Sequence, residues 1–386
     1  MKDINVLNRA WWKEGVIYQI YPRSFKDTTG NGIGDLQGII QKLDYIASLG
    51  VTMVWLNPIY ESPNDDNGYD ISDYRAIMSE FGTMEDFSEL LEGLHERNIK
   101  FIMDVVVNHS SDEHEWFKQS RSSRDNPYRD YYHWWPAEKG KPNHRWSFFD
   151  ENSDAWKYDA QTNAYYLHYF SQKQPDLNWE NPKVRQEVYN IMKFWADKGV
   201  DGFRLDAFQF VSKDIEFPPF PEGYDDNIPS VIKYHGMGPH IHHYLREMYN
   251  EVLSKYDVFA VSEGAGSTLD DAHSIVDEDR NELQMVYHFE GTDLVSSLDK
   301  CTLKDFKASF TKWETSFENK GWISMYLSNH DQSRVVNRFG SDNPKFKDYS
   351  AKMLNTFILS MRGTPYAYYG DELGMTNIGF TKIEQY

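Results

Sequence analysis

The sequence predicts an α/β fold: a (β/α)8 TIM barrel with a small insertion domain after its third strand. Three observations carry this expectation. Short apolar runs alternate with amphipathic stretches, the pattern of a parallel sheet with crossover helices. Eight such runs can be counted, which suits a closed barrel better than an open doubly wound sheet. No glycine fingerprint follows the first run, which argues against a dinucleotide-binding fold.

Residues 16–21 read as the first strand. Asp35 can cap a helix over 36–49, where Leu36, Ile39, Ile40, Leu43, Ile46 and Leu49 recur at spacings of three and four. Gly50 ends it, and 51–56 reads as a buried strand. Thr83 caps the next helix, with Asp86 at the capping-box position and Phe87, Leu90, Leu91 and Leu94 inward. Asn98 stops it, and 99–107 is the third strand. From His109 to Pro175 the chain turns polar and aromatic, and this stretch is the insertion domain, 109–175. The barrel is therefore discontinuous, over 1–108 and 176–386. Asn181 and Pro182 open a helix bearing Val184, Val188, Ile191, Met192 and Trp195, and Gly199 stops it before a strand at 200–205. A long loop is expected over 208–239. His240, His242 and His243 lack a zinc spacing and read as a helix start. Further strands are expected at 258–262, 285–289, 322–327 and 365–369.

The formal net charge of −20 would repel a nucleic acid or an anionic membrane. Cys301 is the one cysteine, so no internal disulfide can form. Residues 1–14 hold no apolar targeting stretch, and no run of 18 apolar residues occurs. A cytoplasmic protein acting on a neutral small molecule is expected. Aromatics make up 16% of the chain, enough to build stacking platforms for sugars, although a large core uses the same residues.

In a parallel barrel the chemistry sits at the C-terminal ends of the strands. Four strand ends carry suitable groups: Asp104 with Asn108-His109, Arg204 with Asp206, Glu263, and Asn329-His330-Asp331. A lone strand-end Asp is usually a helix cap and a lone His is usually packed. Four convergent ends fit glycoside hydrolysis, which needs one carboxylic acid to protonate the leaving oxygen. A retaining enzyme needs a second carboxylate about 5–5.5 Å away to attack the anomeric carbon. Arg204 shares a strand face with Asp206, so its guanidinium is expected to keep Asp206 ionised.

These segments resemble the α-amylase superfamily, and within it the oligo-1,6-glucosidase and α-glucosidase branch. The resemblance rests on Asp104-Val-Val-Val-Asn-His109, Gly202-Phe-Arg-Leu-Asp206, Glu263 and Asn329-His-Asp331, in that order and spacing. Gln174-Pro-Asp-Leu-Asn178 and Asn64-Asp-Asp-Asn-Gly-Tyr-Asp70 are characteristic of the branch. The resemblance implies Asp206 as nucleophile, Glu263 as general acid/base and Asp331 as transition-state stabiliser. Arg204, His109 and His330 would line the glucose subsite, which Asp66 and Tyr69 would close into a dead-end pocket. That implies exo-action on terminal glucose of short oligosaccharides. Ala207, where α-1,6-preferring relatives tend to carry Val, tilts the expectation towards α-1,4 substrates such as maltose. Lys213 falls where relatives have a lysine near the acceptor site, although exposure is the default for a lysine.

A glucosyltransferase or sucrose isomerase of the same family is the alternative. Sucrose isomerases carry an arginine- and aspartate-rich loop where this chain reads Ser333-Arg-Val-Val-Asn-Arg-Phe-Gly340, the pattern of the hydrolases. A non-catalytic relative would lack the carboxylates that this chain keeps. Asp27, Thr29, Asn31, the Ile33 carbonyl and Asp35 alternate as in an oxygen-ligand loop for Ca2+ or Mg2+, although Gly38 stands where an EF-hand would place its Glu. No organic cofactor is expected. Relatives continue past the eighth strand into its helix and a β-domain, so the barrel's C-terminal end is expected to be truncated, leaving one apolar face uncovered.

Overall fold

The computed structural model describes residues 9–149, 154–294, 301–380 and 382. Eight parallel strands form the centre: β1 (Ile17–Ile20), β2 (Met53–Leu56), β3 (Lys100–Val106), β4 (Gly202–Asp206), β5 (Phe259–Glu263), β6 (Met285–Tyr287), β7 (Ser324–Met325) and β8 (Thr364–Tyr368). They pair in chain order from β1 to β6, and β8 bridges β1 to β7. A parallel bridge from Val286 to Ile323 joins β6 to the start of β7 and closes the ring. The expected barrel is the observed one.

Both faces of the strands are buried, as a parallel sheet covered by helices requires. One face of each strand turns into the barrel, where Ile17, Met53, Trp55, Ile102, Phe259, Val261 and Tyr287 pack into a core of their own. The other face meets the surrounding helices through a larger core that includes Leu36, Ile39, Phe87, Leu90, Val188 and Trp195. In β4 the inward positions are Gly202, Arg204 and Asp206. A Cβ on Gly202 would come within 2.6 Å of the Phe259 ring, so glycine lets the crowded lower layer close beneath Arg204.

Two expectations need correction. The helix over 36–49 is two segments, α1 (Leu36–Ile40) and α2 (Leu43–Ser48). Lys42 leaves helical geometry at φ −113° and ψ 7°, and its N–H turns to the Ile39 carbonyl at 2.8 Å. Gly38, inside α1, allows a close approach of the backbone. Its Cα lies against the loop before it, so close that a Cβ would sit 2.0 Å from the Lys26 carbonyl oxygen. Apolar spacing reports the buried face but not this close approach. Second, the loop over 208–239 contains a helix. Asn227 accepts the Ser230 N–H at 2.9 Å, and Pro229 occupies the first turn of Ile228–His235. The prolines just before it, Pro218, Pro219 and Pro221, mask that start signal.

We label the remaining helices used below α3 (Met84–Glu96), α4 (Pro182–Asp197) and α5 (Ile228–His235). α3 has the expected capping box between Thr83 and Asp86. The helix predicted after His240 runs over Ile241–Met248. Between β3 and α4 lies a three-stranded antiparallel sheet of Trp134–Pro136, Trp156–Asp159 and Ala164–Leu167. The chain returns from it through bridges from Asp176 to His109 and from Leu177 to Tyr132. Over β1 and β8 a groove of about 490 Å3 is lined by Val16, Tyr18, Leu49, Val51 and Ala351. Among the described residues, no helix is long and apolar enough to cross a membrane.

Gly38 provides the test of this local packing. Gly38→Ala drives a methyl into a backbone carbonyl that cannot rotate away, and the cost is expected to be about 2 kcal/mol. Urea denaturation of the variant measures it.

Candidate active site

The register of β3 and β4 pairs Asp104 with Arg204 and Val106 with Asp206. The strand ends therefore deliver charged groups to one level above the apolar lumen. Arg204 is the centre. Its side chain is 1% exposed, and its guanidinium lies 5.3 Å from the Trp55 ring centroid. Nη1 donates to Asp104 Oδ1 at 2.9 Å and to Asp206 Oδ1 at 2.5 Å. Nη2 donates to Glu263 Oε1. One cation thus meets carboxylates from three adjacent strands.

Immediately after Asp206 the chain turns sharply. Ala207 takes the left-handed conformation, φ 49° and ψ 21°, which costs a non-glycine residue about 1–2 kcal/mol. The turn aims the Ala207 N–H at Glu263 Oε2, 2.8 Å away. Glu263 is thereby held on both oxygens. Strain beside a charged cluster is typical of a functional site.

Arg204 draws Asp206 towards the ionised form, as expected of it, against the opposing effects of burial and of Glu263. Burial pushes Asp206 well above the usual carboxylate range, and the neighbouring Glu263 adds to the push more than Arg204 subtracts from it. Asp104 is also raised, by burial first and against the pull of Arg204.

A hydrogen-bonded chain extends from this centre. Tyr69 Oη donates to Asp104 Oδ2 at 3.0 Å and meets His330 Nε2 at 2.8 Å. Gln19 Nε2 donates to His330 Nδ1 at 3.0 Å, so the ring carries its proton on Nε2. Asn57 Nδ2 donates to Tyr69 Oη at 2.8 Å. Tyr69 and the His330 ring stack at 5.4 Å. Asp331 follows, half-exposed, with Oδ1 3.3 Å from His330 Nε2.

The other end is built by the 64–70 loop. Asp70 is buried and accepts the N–H groups of Asp65 and Asp66, both at 2.9 Å. Asn64 and Asn67 supply its two left-handed turns, at φ 65° and 49°. Gln174 Nε2 donates to Asp66 Oδ2 at 2.8 Å and lies 3.1 Å from His109 Nε2. Burial holds His109 neutral, pushing it down to about 3. Burial pushes Asp66 up to about 7. The structure gathers Asp66, Tyr69, His109, Asp206, Glu263, His330 and Asp331 around one cavity of about 360 Å3, with Arg204 behind it.

Sequence reasoning left Gln19, Asn57 and Gln174 out of the site. Gln174 stood in a characteristic segment, but Gln19 and Asn57 gave no signal beyond being polar residues in or beside apolar strands. Lys213 is also placed differently from the default. It is 4% exposed, donates to Asn108 Oδ1 at 3.0 Å, and lies 3.1 Å from Asp176 Oδ2. Burial lowers its pKa and Asp176 opposes that shift. The pair ties the segment after β4 to the chain returning from the 109–175 stretch.

In the 27–35 loop, Asp27 accepts the N–H groups of Thr29, Gly30 and Gly32 at 2.7–2.8 Å. Asp35 Oδ1 caps α1 through Gly38 N–H at 2.7 Å, and Oδ2 accepts from Thr28. Among the described residues no three His, Cys, Asp or Glu side chains gather to hold a metal. His240 and His242 pair with Glu180 and Glu282 respectively, each at 2.7–2.8 Å.

A closed eight-stranded parallel barrel with an acid cluster at its strand ends is an arrangement suited to cleaving glycosidic bonds. The family model for the alpha amylase catalytic domain matches residues 19–385. The chain is 55% identical over 386 residues to an oligo-1,6-glucosidase of Parageobacillus thermoglucosidasius, covering 98% of this chain and 68% of that protein. It is 47% identical over 392 residues to an alpha-glucosidase of Pediococcus pentosaceus, covering 97% and 68%. Among solved structures it resembles a trehalulose synthase from Pseudomonas mesoacidophila MX-45, with a TM-score of 0.93, 45% identity, and 98% and 68% of the two chains covered. The chain belongs to the α-amylase family and is a glycoside hydrolase.

Asp66 carries a pH test. Its folded-state pKa near 7 lies above that of an unfolded aspartate, so the folded state binds the extra proton. Stability contributed by that proton is present at low pH and is lost as pH rises from about 4 through 7. Asp66→Asn is therefore expected to melt above the parent at pH 8 and to lose that advantage at pH 4, as read by thermal denaturation.

Proposed function

We propose that the chain is a retaining, exo-acting α-glucosidase that releases terminal non-reducing glucose from short α-linked oligosaccharides. The observation that carries this reading is the attachment of Asp206 and Glu263 to the two nitrogens of one buried guanidinium, where both line a small cavity. Asp206 attacks the anomeric carbon. Glu263 protonates the leaving oxygen and then accepts a proton from water. The mechanism needs one carboxylic acid and one carboxylate, and two such groups meet at this guanidinium. Asp331 holds sugar hydroxyls as charge develops. Asp66, Tyr69, His109, Arg204 and His330 bind the glucose unit, and Asp66 with the Gln174 amide closes its far end.

Oligo-1,6-glucosidases among the relatives speak for α-1,6 bonds, whereas Ala207 in the cavity wall speaks for α-1,4 bonds. We take maltose as the better substrate of the two. The likeness to a trehalulose synthase raises sucrose isomerisation as a second reading. Both arginines of 333–340 turn to backbone carbonyls: Arg334 to Tyr369 at 2.6 Å and Arg338 to Leu327 and Thr292. That arrangement favours hydrolysis. The 27–35 loop is proposed as a weak divalent-cation site. Its two carboxylates, Asp27 and Asp35, with Thr29, Asn31 and the Ile33 carbonyl, are an oxygen set suited to Ca2+ or Mg2+. The ion would be structural. Backbone N–H groups hold Asp27 ionised for it.

Glu263→Gln is expected to slow glucose release from maltose by about 100- to 10,000-fold. The first-turnover burst of p-nitrophenol from p-nitrophenyl α-glucoside, whose leaving group needs little protonation, should fall much less, although glucose release still slows because water loses its base. Asp206→Asn should slow both substrates alike, and the first product seen by NMR should be α-glucose. A p-nitrophenol burst slowed as much as maltose cleavage in Glu263→Gln would remove Glu263 from the acid role. For the cation, Ca2+ at millimolar concentration should raise the melting temperature over that in chelator, and Asp27→Ala should abolish the difference.

A further inference from the structure

An asparagine followed by glycine is a reactive step, because no side chain shields the glycine nitrogen from the asparagine amide. The chain has two such steps, Asn31-Gly32 and Asn67-Gly68, each with an exposed asparagine. Their surroundings differ. At the first, the Gly32 N–H donates to Asp27 Oδ2 and Asn31 Oδ1 accepts the Ile33 N–H, both at 2.8 Å. The nitrogen that would attack and the amide it would attack are both engaged. At the second, neither the Gly68 N–H nor the Asn67 side chain has a hydrogen-bond partner among the described residues. The turn is held elsewhere. The Tyr69 N–H donates to the Asp66 carbonyl at 3.0 Å, and Tyr21 Oη donates to the Asn67 carbonyl at 2.7 Å. Both central residues have positive φ, 49° at Asn67 and 100° at Gly68. Local opening of this two-residue turn is the motion that brings the Gly68 nitrogen to the Asn67 side chain.

We propose that Asn67 is a site of spontaneous deamidation that disables the closed end of the glucose cavity, and that Asn31 is protected from the same reaction. The Gly68 nitrogen gives its proton to solvent and attacks Cγ of Asn67. A bond forms between that nitrogen and Cγ, the bond from Cγ to Nδ2 breaks, and ammonia leaves. Water then opens the cyclic imide at either carbonyl, giving aspartate or isoaspartate. Nothing is oxidised or reduced, and water is the sole co-reactant. The aspartate product places a further carboxylate among Asp65, Asp66 and Asp70. The isoaspartate product adds a carbon to the main chain between Asp66 and Tyr69. That shift pulls on the bonds from Asp66 to Gln174 and from Tyr69 to Asp104 and His330. The loss of activity rests on the glucosidase reading above, whereas the deamidation does not.

The test incubates the folded parent enzyme at mildly alkaline pH and weighs its proteolytic peptides over time. The Asn67 peptide should gain the mass difference between an amide and a carboxyl about tenfold faster than the Asn31 peptide, since the Gly32 N–H is held by a carboxylate. The kcat/KM for maltose should fall in step with the converted fraction. Asn67→Gly, which removes the amide and tolerates the positive φ, should keep its own starting kcat/KM through the same incubation. An unconverted Asn67, or equal rates at the two steps, overturns the modification site. Full conversion with undiminished kcat/KM overturns its link to the cavity. An enzyme inert on every α-glucoside from the outset overturns the glucosidase reading and that link together, while the peptide masses decide the modification by themselves.

Discussion

The site depends on the burial of one guanidinium. Arg204 sits 1% exposed above an apolar barrel core, where an unpaired cation would be intolerable. It is satisfied by carboxylates from β3, β4 and β5. The reverse also holds: three carboxyls this close would repel one another without the cation between them. Neither half is stable alone, so the barrel must close in register before the cluster can form. The pairing of Asp104 with Arg204 across β3 and β4 is that register made visible. Burial raises Asp104 and Asp206, and Arg204 pulls both the other way.

Around this centre, distant segments are fixed by groups that never leave the protein. His330 is oriented by Gln19 from β1 and by Tyr69 from the loop after β2. The 64–70 loop is folded on Asp70. Lys213 and Asp176 form a buried pair whose loss on either side would strand a charge. Ala207 is held in a strained turn whose benefit is the N–H given to Glu263. These contacts cost stability in isolation and stand because the barrel over-determines them.

Much of this was legible in the sequence because periodicity and strand-end chemistry are local signals. The apolar runs located all eight strands to within a few residues, and the acid groups marked the ends on which the site stands. What escaped was set by close approach or by long-range partners. The break between α1 and α2 at Lys42 left no mark on the apolar spacing. The helix α5 was hidden by its proline-rich approach. The burial of Lys213 follows from Asp176 and Asn108, far away in sequence. The effect of Glu263 on Asp206 was not legible, because the two groups stand on neighbouring strands and are distant in sequence.

The two walls of the cavity have different structural origins, and this constrains how specificity can change. The polar floor comes largely from strand ends and the residues directly after them, where a shift would break the charge cluster. The apolar mouth comes from the 109–175 stretch and from the segment holding α5, joined through a cluster of their own. That cluster meets the floor at Ala207 and at the Phe170–His109 contact. Substitutions on the exposed edge of α5 therefore act on what lies beyond the glucose unit while leaving the hydrogen bonds of Arg204 intact. An enzyme built this way can keep one bond-breaking centre and exchange the partner it accepts, because the energetic coupling between the two walls runs through few contacts.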